Sequence, residues 1–314
     1  MIEPIFEADP SDGSYGYRPK RSAADAVKRI ESSIEEGYRC VYDADLLGYF
    51  DNIPHDRLMA KIERRISDRS MLSLLRQFLR APVPSMDENG AINITKPDKG
   101  TPQGGVISPL FANIYLNDFS DLITSKRPCR MVSYGDDFVI LHREPFTERQ
   151  LQRFKEKLAS EGLTINEAKT PVVDMRQQKT EFDYPGFTFR TVASRWPGAR
   201  PYLRVEPSKK SQARFKAAIR EIVKHRTSLT LDRLIAKVNA IVRGWRNYFK
   251  SCGYPNRIFF RMDWFVVARF YRWANRLSQR RGKCLTPDPL KNLIQKGLEL
   301  FMPPRLSPVK VHSE

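Results

Sequence analysis

The chain has 314 residues, 41% of them hydrophobic, and carries 54 Lys and Arg against 36 Asp and Glu, a formal net charge of +18. That length and apolar content support a mixed domain followed by a second module. No apolar run approaches the ~20 residues a spanning helix needs, and no signal-peptide pattern opens the chain, so a cytoplasmic or organelle-interior location is expected and a membrane partner is not. The charge is uneven. Residues 1–150 hold 20 Lys and Arg against 23 Asp and Glu, whereas residues 151–314 hold 34 against 13. The basic half is interleaved with Trp245, Tyr248, Phe249, Trp264, Phe270, Tyr271 and Trp273, a mixture that suits phosphates and bases. The four cysteines, Cys40, Cys129, Cys252 and Cys284, form no CxxC pair, which argues for reduced thiols rather than a zinc module.

In chain order, Ser22 with Asp25 opens a capped amphipathic helix that stops at Gly37. Cys40–Asp45 reads as a strand, and a helix begins near Pro54. His55, at that helix start, reads as a local hydrogen-bonding residue. Apolar spacing predicts a further helix from Leu72 to Leu79, a loop or small hairpin over 82–100, and a helix from about Ser108 to Leu122. Tyr134-Gly135-Asp136-Asp137, flanked by apolar runs, reads as the tight turn of a hairpin. A helix over Glu148–Ser160, a strand at Gly162–Ile165 and a short strand from about Tyr184 to Arg190 follow. From Ser208 the pattern is helical only, with one helix around Phe215–Val223, a second over Leu231–Phe249 and a third over Ile258–Gln279.

Paired carboxylates at a hairpin tip need a cation, because like charges a few Å apart do not both ionise cheaply. Two-metal phosphoryl transfer takes carboxylates from separate segments, and Asp45 with Asp136 and Asp137 provides them if their strands are neighbours. Phe50, five residues beyond Asp45, is placed to crowd the 2′ position of a bound nucleotide.

These residues lie within five ordered segments. They are Asp45-Leu-Leu-Gly-Tyr-Phe50-Asp51-Asn-Ile, Gly100-Thr-Pro-Gln103-Gly-Gly105-Val-Ile-Ser-Pro109-Leu, Tyr134-Gly-Asp-Asp137, Gly162-Leu-Thr-Ile-Asn-Glu-Ala-Lys169-Thr and Tyr184-Pro-Gly-Phe187. In order and spacing they resemble the palm motifs of group II intron reverse transcriptases. Upstream, Tyr15-Gly-Tyr-Arg18-Pro-Lys20-Arg21-Ser is similar to the segment that precedes the first catalytic aspartate in that family. Downstream, Ile241-Val-Arg243-Gly244-Trp245-Arg-Asn-Tyr248-Phe249 resembles the helix of its maturase-specific thumb.

The resemblance implies an α+β right-hand polymerase palm, with an antiparallel sheet and packed helices, followed by an all-helical thumb. The expected division is a palm with a remnant of fingers over 1–190, a linker over 191–207, the thumb over 208–300 and a flexible tail over 301–314. It implies two Mg²⁺ ions on Asp45, Asp136 and Asp137, sugar selection by Phe50, and a nucleotide-facing loop at Gln103, Gly104 and Gly105. It also implies a leaving-group proton from Lys169. The expected partners are group II intron RNA, an RNA template, a DNA primer and deoxynucleoside triphosphates. Nucleic-acid contacts are expected at Arg18 and Arg243 and at two basic stripes, Lys216, Arg220 and Lys224 on one helix and Arg272, Arg276 and Arg280 on another. Two departures stand out. Gly135 replaces the family's usual alanine, giving a form familiar from viral RNA-copying RNA polymerases. The chain also begins at a point late in the family's fingers, so feeble primer extension by the chain alone is expected. A polymerase-inactive, RNA-binding splicing factor is the alternative reading.

Overall fold

The molecule is a computed structural model that describes residues 2–86, 92–95, 97–102, 104–124, 129–194, 196–224, 229–252, 256–281 and 289–302. The chain divides into two units, Met1–Pro185 with Arg190–Leu203, and Gly186–Phe189 with Arg204–Glu314.

In the first unit, α1 (Glu3–Phe6) and a loop lead to α2 (Ala23–Glu35). Ser22 and Asp25 exchange the hydrogen bonds of a capping box at the start of α2, and Gly37 ends it at φ +99°. Then come β1 (Cys40–Ala44), the short α3 (Tyr49–Asn52), α4 (His55–Glu63), α5 (Arg69–Leu79) and the hairpin β2 (Val83–Met86) with β3 (Ile92–Thr95). α6 (Ser108–Thr124) precedes the hairpin of β4 (Cys129–Tyr134) and β5 (Asp137–His142), and α7 (Glu148–Ser160) and β6 (Val172–Asp174) follow. The central sheet has the order β4-β5-β1-β6. β1 is antiparallel to both neighbours, with Cys40 opposite His142 and Ala44 opposite Phe138.

Side chains alternate across a strand. Tyr42, Ala44, Met131, Phe138 and Ile140 therefore share one face, buried with Leu58, Ile62, Phe111, Phe119 and Leu158 from the helices. Val41, Val139 and Leu141, also fully buried, share the other face with Asp43.

The segment before α2 is fixed to the sheet. Ser14 bridges Ser133 in parallel, the Tyr15 amide donates to the Ser133 carbonyl at 2.9 Å, and the Ser133 amide donates to the Gly13 carbonyl at 2.8 Å. The approach needs glycine. A Cβ on Gly13 would overlap the Met131 carbonyl, and one on Gly16 would overlap the Gly135 amide.

Two expectations change. Gly162–Ile165 is not a strand but makes a single bridge between Ile165 and Leu46. Its partner is the turn after β1 rather than an extended edge, so the ladder stops at once. The single strand expected at 184–190 is two, β7 (Glu181–Tyr184) and β8 (Phe187–Val192), separated by Pro185-Gly186 with Gly186 at φ +82°. With β9 (Tyr202–Pro207), which lies in the stretch expected to be a linker, they form a sheet of order β7-β8-β9.

The second unit contains α8 (Lys209–Ile222), α9 (Leu231–Phe249), α10 (Asn256–Arg281) and α11 (Pro289–Gln295). Its core is aromatic. Trp245 lies 5.0 Å from Phe215, 4.6 Å from Phe249 and 5.3 Å from Phe301 between ring centroids. Buried Asp263 holds the segment after α11 by accepting from the Phe301 and Met302 amides at 2.8 and 2.9 Å. The expected tail lies outside the described residues from 303 onward. Among the described residues no helix is long and apolar enough to cross a membrane.

Because Gly13 and Gly16 leave no room for a side chain, Gly16→Ala should lower the melting temperature by roughly 3–10 °C, the range for overpacking by about 1–3 kcal/mol. Differential scanning calorimetry measures this, and Gly244→Ala, in open space and not at positive φ, is the control for a methyl group that meets no neighbour.

Candidate active site

The register places the acidic residues. β4 and β5 close with Tyr134 paired to Asp137, leaving Gly135 (φ +69°) and Asp136 as a two-residue turn. The ladder ends at the Ala44–Phe138 pair, and its register extended by one residue sets Asp45 opposite Asp137. Opposed residues on antiparallel strands share a face, with Cβ atoms about 4.5–5.5 Å apart. Asp43, two residues before Asp45, shares that face.

Asp43 was not among the residues expected from the sequence. Its carboxyl is pushed up to about 7, first by burial and then by the charges of Asp137, Asp183 and Asp45. Buried Tyr184, from β7, also feels Asp137 and Asp43, and burial holds its phenol well above the usual range. An acidic pair on alternate positions of one strand, Asp43 and Asp45, was the available signal for the fourth carboxylate.

Asp45 is held by the segment Gly162–Thr170. Asn166 Nδ2 donates to the Asp45 carboxylate at 2.9 Å, the Asn166 amide donates to the Asp45 carbonyl at 2.8 Å, and the Asp45 amide donates to Thr170 Oγ1 at 3.3 Å. Lys169 ends a 3₁₀ turn, Glu167–Lys169, in this segment; its side chain lies outside the described residues. Asn166 is the positioning residue the sequence reading passed over.

Carboxylate oxygen is the donor a hard cation takes. Among the described residues no group of three or more His, Cys, Asp or Glu is disposed to hold a metal ion on its own. Mg²⁺ does not require such a cage, since it is held through one or two carboxylates and completes its shell with water and substrate phosphate. The crowding on Asp43 is the repulsion a cation would relieve, so the donor set fits Mg²⁺.

A second wall comes from α3 and the glycine-rich loop. The Thr101 amide donates to the Phe50 carbonyl and the Gly100 amide to the Ile53 carbonyl, both at 2.7 Å. His55 Nε2 donates to the Gly100 carbonyl at 2.6 Å, in the local role expected of it. A Cβ on Gly100 would press on the Asp51 backbone at 2.7 Å. Gly104 (φ +81°) faces open space, whereas Gly105 packs near Ser108 Oγ. Gln103 lies outside the described residues. Phe50 is half-buried and meets Tyr49 and Tyr17 edge-on, with centroids 5.7 and 6.3 Å apart. Tyr17 adopts φ +57° and is 53% exposed, and the charges of Asp136 and Asp137 reach its phenol. It is thus a third residue the sequence reading missed, one that links the Phe50 ring to the acidic turn.

The expected nucleic-acid contacts divide. Arg18 is corrected, because its side chain is 5% exposed and pairs with Glu7 at 2.8 Å while donating to the Glu7, Ser11 and Ser14 carbonyls. It is consumed in holding the 7–18 loop, and so the backbone that presents Tyr17. In the second unit, Lys216 and Arg220 lie over the Phe265 ring at 5.8 and 5.2 Å. Lys224 pairs with Glu221, and Arg243 lies 3.7 Å from Glu299 while 59% exposed. Arg272 is exposed, and the side chains of Arg276 and Arg280 lie outside the described residues.

The sequence and the fold are similar to those of known proteins. Residues 1–189 match the reverse transcriptase (RNA-dependent DNA polymerase) family. The chain belongs to that family. Residues 212–287 match the group II intron maturase-specific domain, which makes it a reverse transcriptase of the group II intron type. YkfC of Escherichia coli K12 is 38% identical over 129 residues, 39% of this chain and 32% of that protein. The group II intron-encoded protein LtrA of Lactococcus lactis subsp. cremoris is 40% identical over 123 residues, 39% of this chain and 19% of LtrA. The matches thus span a third or less of either relative. A structure of telomerase from Candida albicans with the TWJ fragment of telomeric RNA aligns at TM-score 0.51 and 15% identity, covering 94% of this chain and 55% of that one. It shares the fold.

The raised Asp43 carboxyl sets a pH dependence. Between an unfolded value near 3.8 and a folded value of about 7, the folded reverse transcriptase keeps a proton that the unfolded chain has lost, so stability falls as pH rises across that window. In EDTA, urea midpoints of Asp43→Asn should fall less between pH 4 and about 7 than those of the parent. Parallel curves for the two proteins would mean that Asp43 is not crowded.

Proposed function

We propose that the chain extends a DNA primer on an RNA template and acts on group II intron RNA as a maturase. What supports this is the β1–β5 register, which extended one residue past Ala44–Phe138 brings Asp45 opposite Asp137 beside the Asp136 turn, together with the Phe50–Tyr17 ring contact. Intact carboxylates in that register favour the polymerase reading over a splicing factor that has lost its chemistry.

The reaction joins the primer 3′ oxygen to the α-phosphorus of a deoxynucleoside triphosphate and releases pyrophosphate. Asp45, Asp136 and Asp137 would hold two Mg²⁺ ions, which would supply Lewis-acid activation of the attacking hydroxyl and neutralise charge on the leaving group. The protein's own groups orient the reactants. Asn166 and Thr170 fix Asp45, so its free oxygen keeps one direction. Phe50 stands beside the 2′ carbon and rejects a ribose hydroxyl, while Gly104 and Gly105 let backbone approach the base pair that forms. Lys169 is the proposed proton donor to pyrophosphate. In the second unit, the basic helices bind intron RNA through phosphates.

Asp136→Ala should reduce primer extension to background and leave RNA affinity within about threefold, since no phosphate contact is removed. Extension that survives the substitution would remove the metal-site assignment. Phe50→Ala should raise ribonucleotide incorporation relative to deoxyribonucleotide by roughly tenfold or more, read by single-nucleotide insertion with each substrate.

A further inference from the structure

α10 buries one side and leaves the other bare in a way that its core role does not explain. Ile258, Phe259, Met262, Asp263, Val266, Phe270, Trp273 and Ala274 are all buried. At about 100° per residue these occupy one side of the helix. On the opposite side Phe260 is 55% exposed, Trp264 64% and Tyr271 46%. With Arg257 and Ala268 the three rings fall within an arc of about 80°, and Arg261 and Arg272 border it. All three arginines are exposed.

Single exposed apolar residues are ordinary, but three aromatic rings aligned on one helix face form a patch that calls for a partner. The charge selects its kind. The 26 residues of α10 contain one carboxylate, Asp263, and that one is buried and accepts the Phe301 and Met302 amides. The aromatic face therefore offers an approaching chain guanidinium groups and no anion. A polyanion with flat apolar faces matches rings bordered by arginines and no carboxylate.

We propose that this face of α10 is a stacking platform for unpaired RNA nucleotides. Bases stack on Phe260, Trp264 and Tyr271, and Arg257, Arg261 and Arg272 take the intervening phosphates. Along the helix axis Phe260 and Trp264 are separated by about 6 Å and Trp264 and Tyr271 by about 10 Å, so the rings engage bases one at a time. Bases inside a duplex have no free face, which makes the platform selective for loops, bulges and single-stranded flanks. The inference rests on the RNA-binding part of the proposed function and narrows it from phosphate attraction to recognition of unpaired bases.

The test uses the full chain with a short single-stranded uridine oligonucleotide and a blunt-ended RNA duplex of equal length, both at fixed salt. The double variant Phe260→Ala, Trp264→Ala should lose roughly tenfold or more in single-strand affinity, within the range for lost base–aromatic stacking. Its duplex affinity should change by less than about twofold, and its melting temperature should hold because both rings are exposed. Single-strand binding should quench tryptophan emission in the parent and not in Trp264→Phe, which retains most of the affinity. Arg261→Gln should lower the salt slope for the single strand by about 0.7. Equal loss on single strand and duplex, or no loss on either, overturns the platform. So does a Trp264 response to vesicles of anionic phospholipid with none to RNA, which would assign the face to a membrane surface. If the parent chain binds neither RNA, the RNA-binding reading itself fails; if it binds both but ignores the two rings, only the platform fails.

Discussion

The antiparallel pairing of β1 with β5 is the constraint on which the rest of the site depends. Side chains alternate, so a slip of one residue would send Asp45 and Asp43 to the face packed on the helices and bring Tyr42 and Ala44 to the face that carries the carboxylates. The apolar pattern forbids it. Tyr42, Ala44, Phe138 and Ile140 are all nearly or fully buried on the helix-packed side, so the same packing that stabilises the sheet brings Asp45 level with Asp137. Chemistry at this end of the sheet is therefore tied to a core that cannot easily shift.

Crowding carboxylates in this way works against the fold. Asp43 holds a proton to about pH 7 because burial and three neighbouring carboxylates oppose its charge. The surrounding structure accommodates the repulsion by bracing the backbone. Asn166 and Thr170 hold Asp45 from one side, and the Gly13–Tyr17 segment packs on the turn from the other. Arg18 belongs to that bracing. Its position in a motif rich in basic residues suggested an outward role, but its donors point to backbone carbonyls and Glu7. A sequence shows that an arginine is present without showing which way it turns.

Much of this was legible beforehand because it rests on local chemistry. The Ser22–Asp25 cap, the Gly135 turn, α7 and α9 each follow from spacing within a few residues. Asp45, Asp136 and Asp137 stood out as carboxylates beside turns, and Phe50 by its spacing from Asp45. What escaped the reading depends on distant contacts. Asp43 is ordinary until β7 brings Asp183 near it, Tyr17 is an unremarkable aromatic until Gly16 lets it approach Gly135, and Asn166 acquires a role only against Asp45, 121 positions away. The aromatics of the basic half were legible as a group, but only the fold separates Trp245, Phe249, Phe270 and Trp273, which fill the core, from Phe260, Trp264 and Tyr271, which do not. Residue type tells what a side chain can do, and register and packing decide whether it is placed to do it.

The most direct test of the central claim is anomalous diffraction from crystals of the chain grown with Mn²⁺, a primer–template and a non-hydrolysable deoxynucleotide. The account predicts anomalous peaks against the Asp45 and Asp137 carboxylates, on the sheet face shared with Asp43, with the nucleotide sugar against Phe50. Manganese bound elsewhere, or a nucleotide seated away from the Asp136 turn while the same crystals contain an ordered primer end, would contradict it.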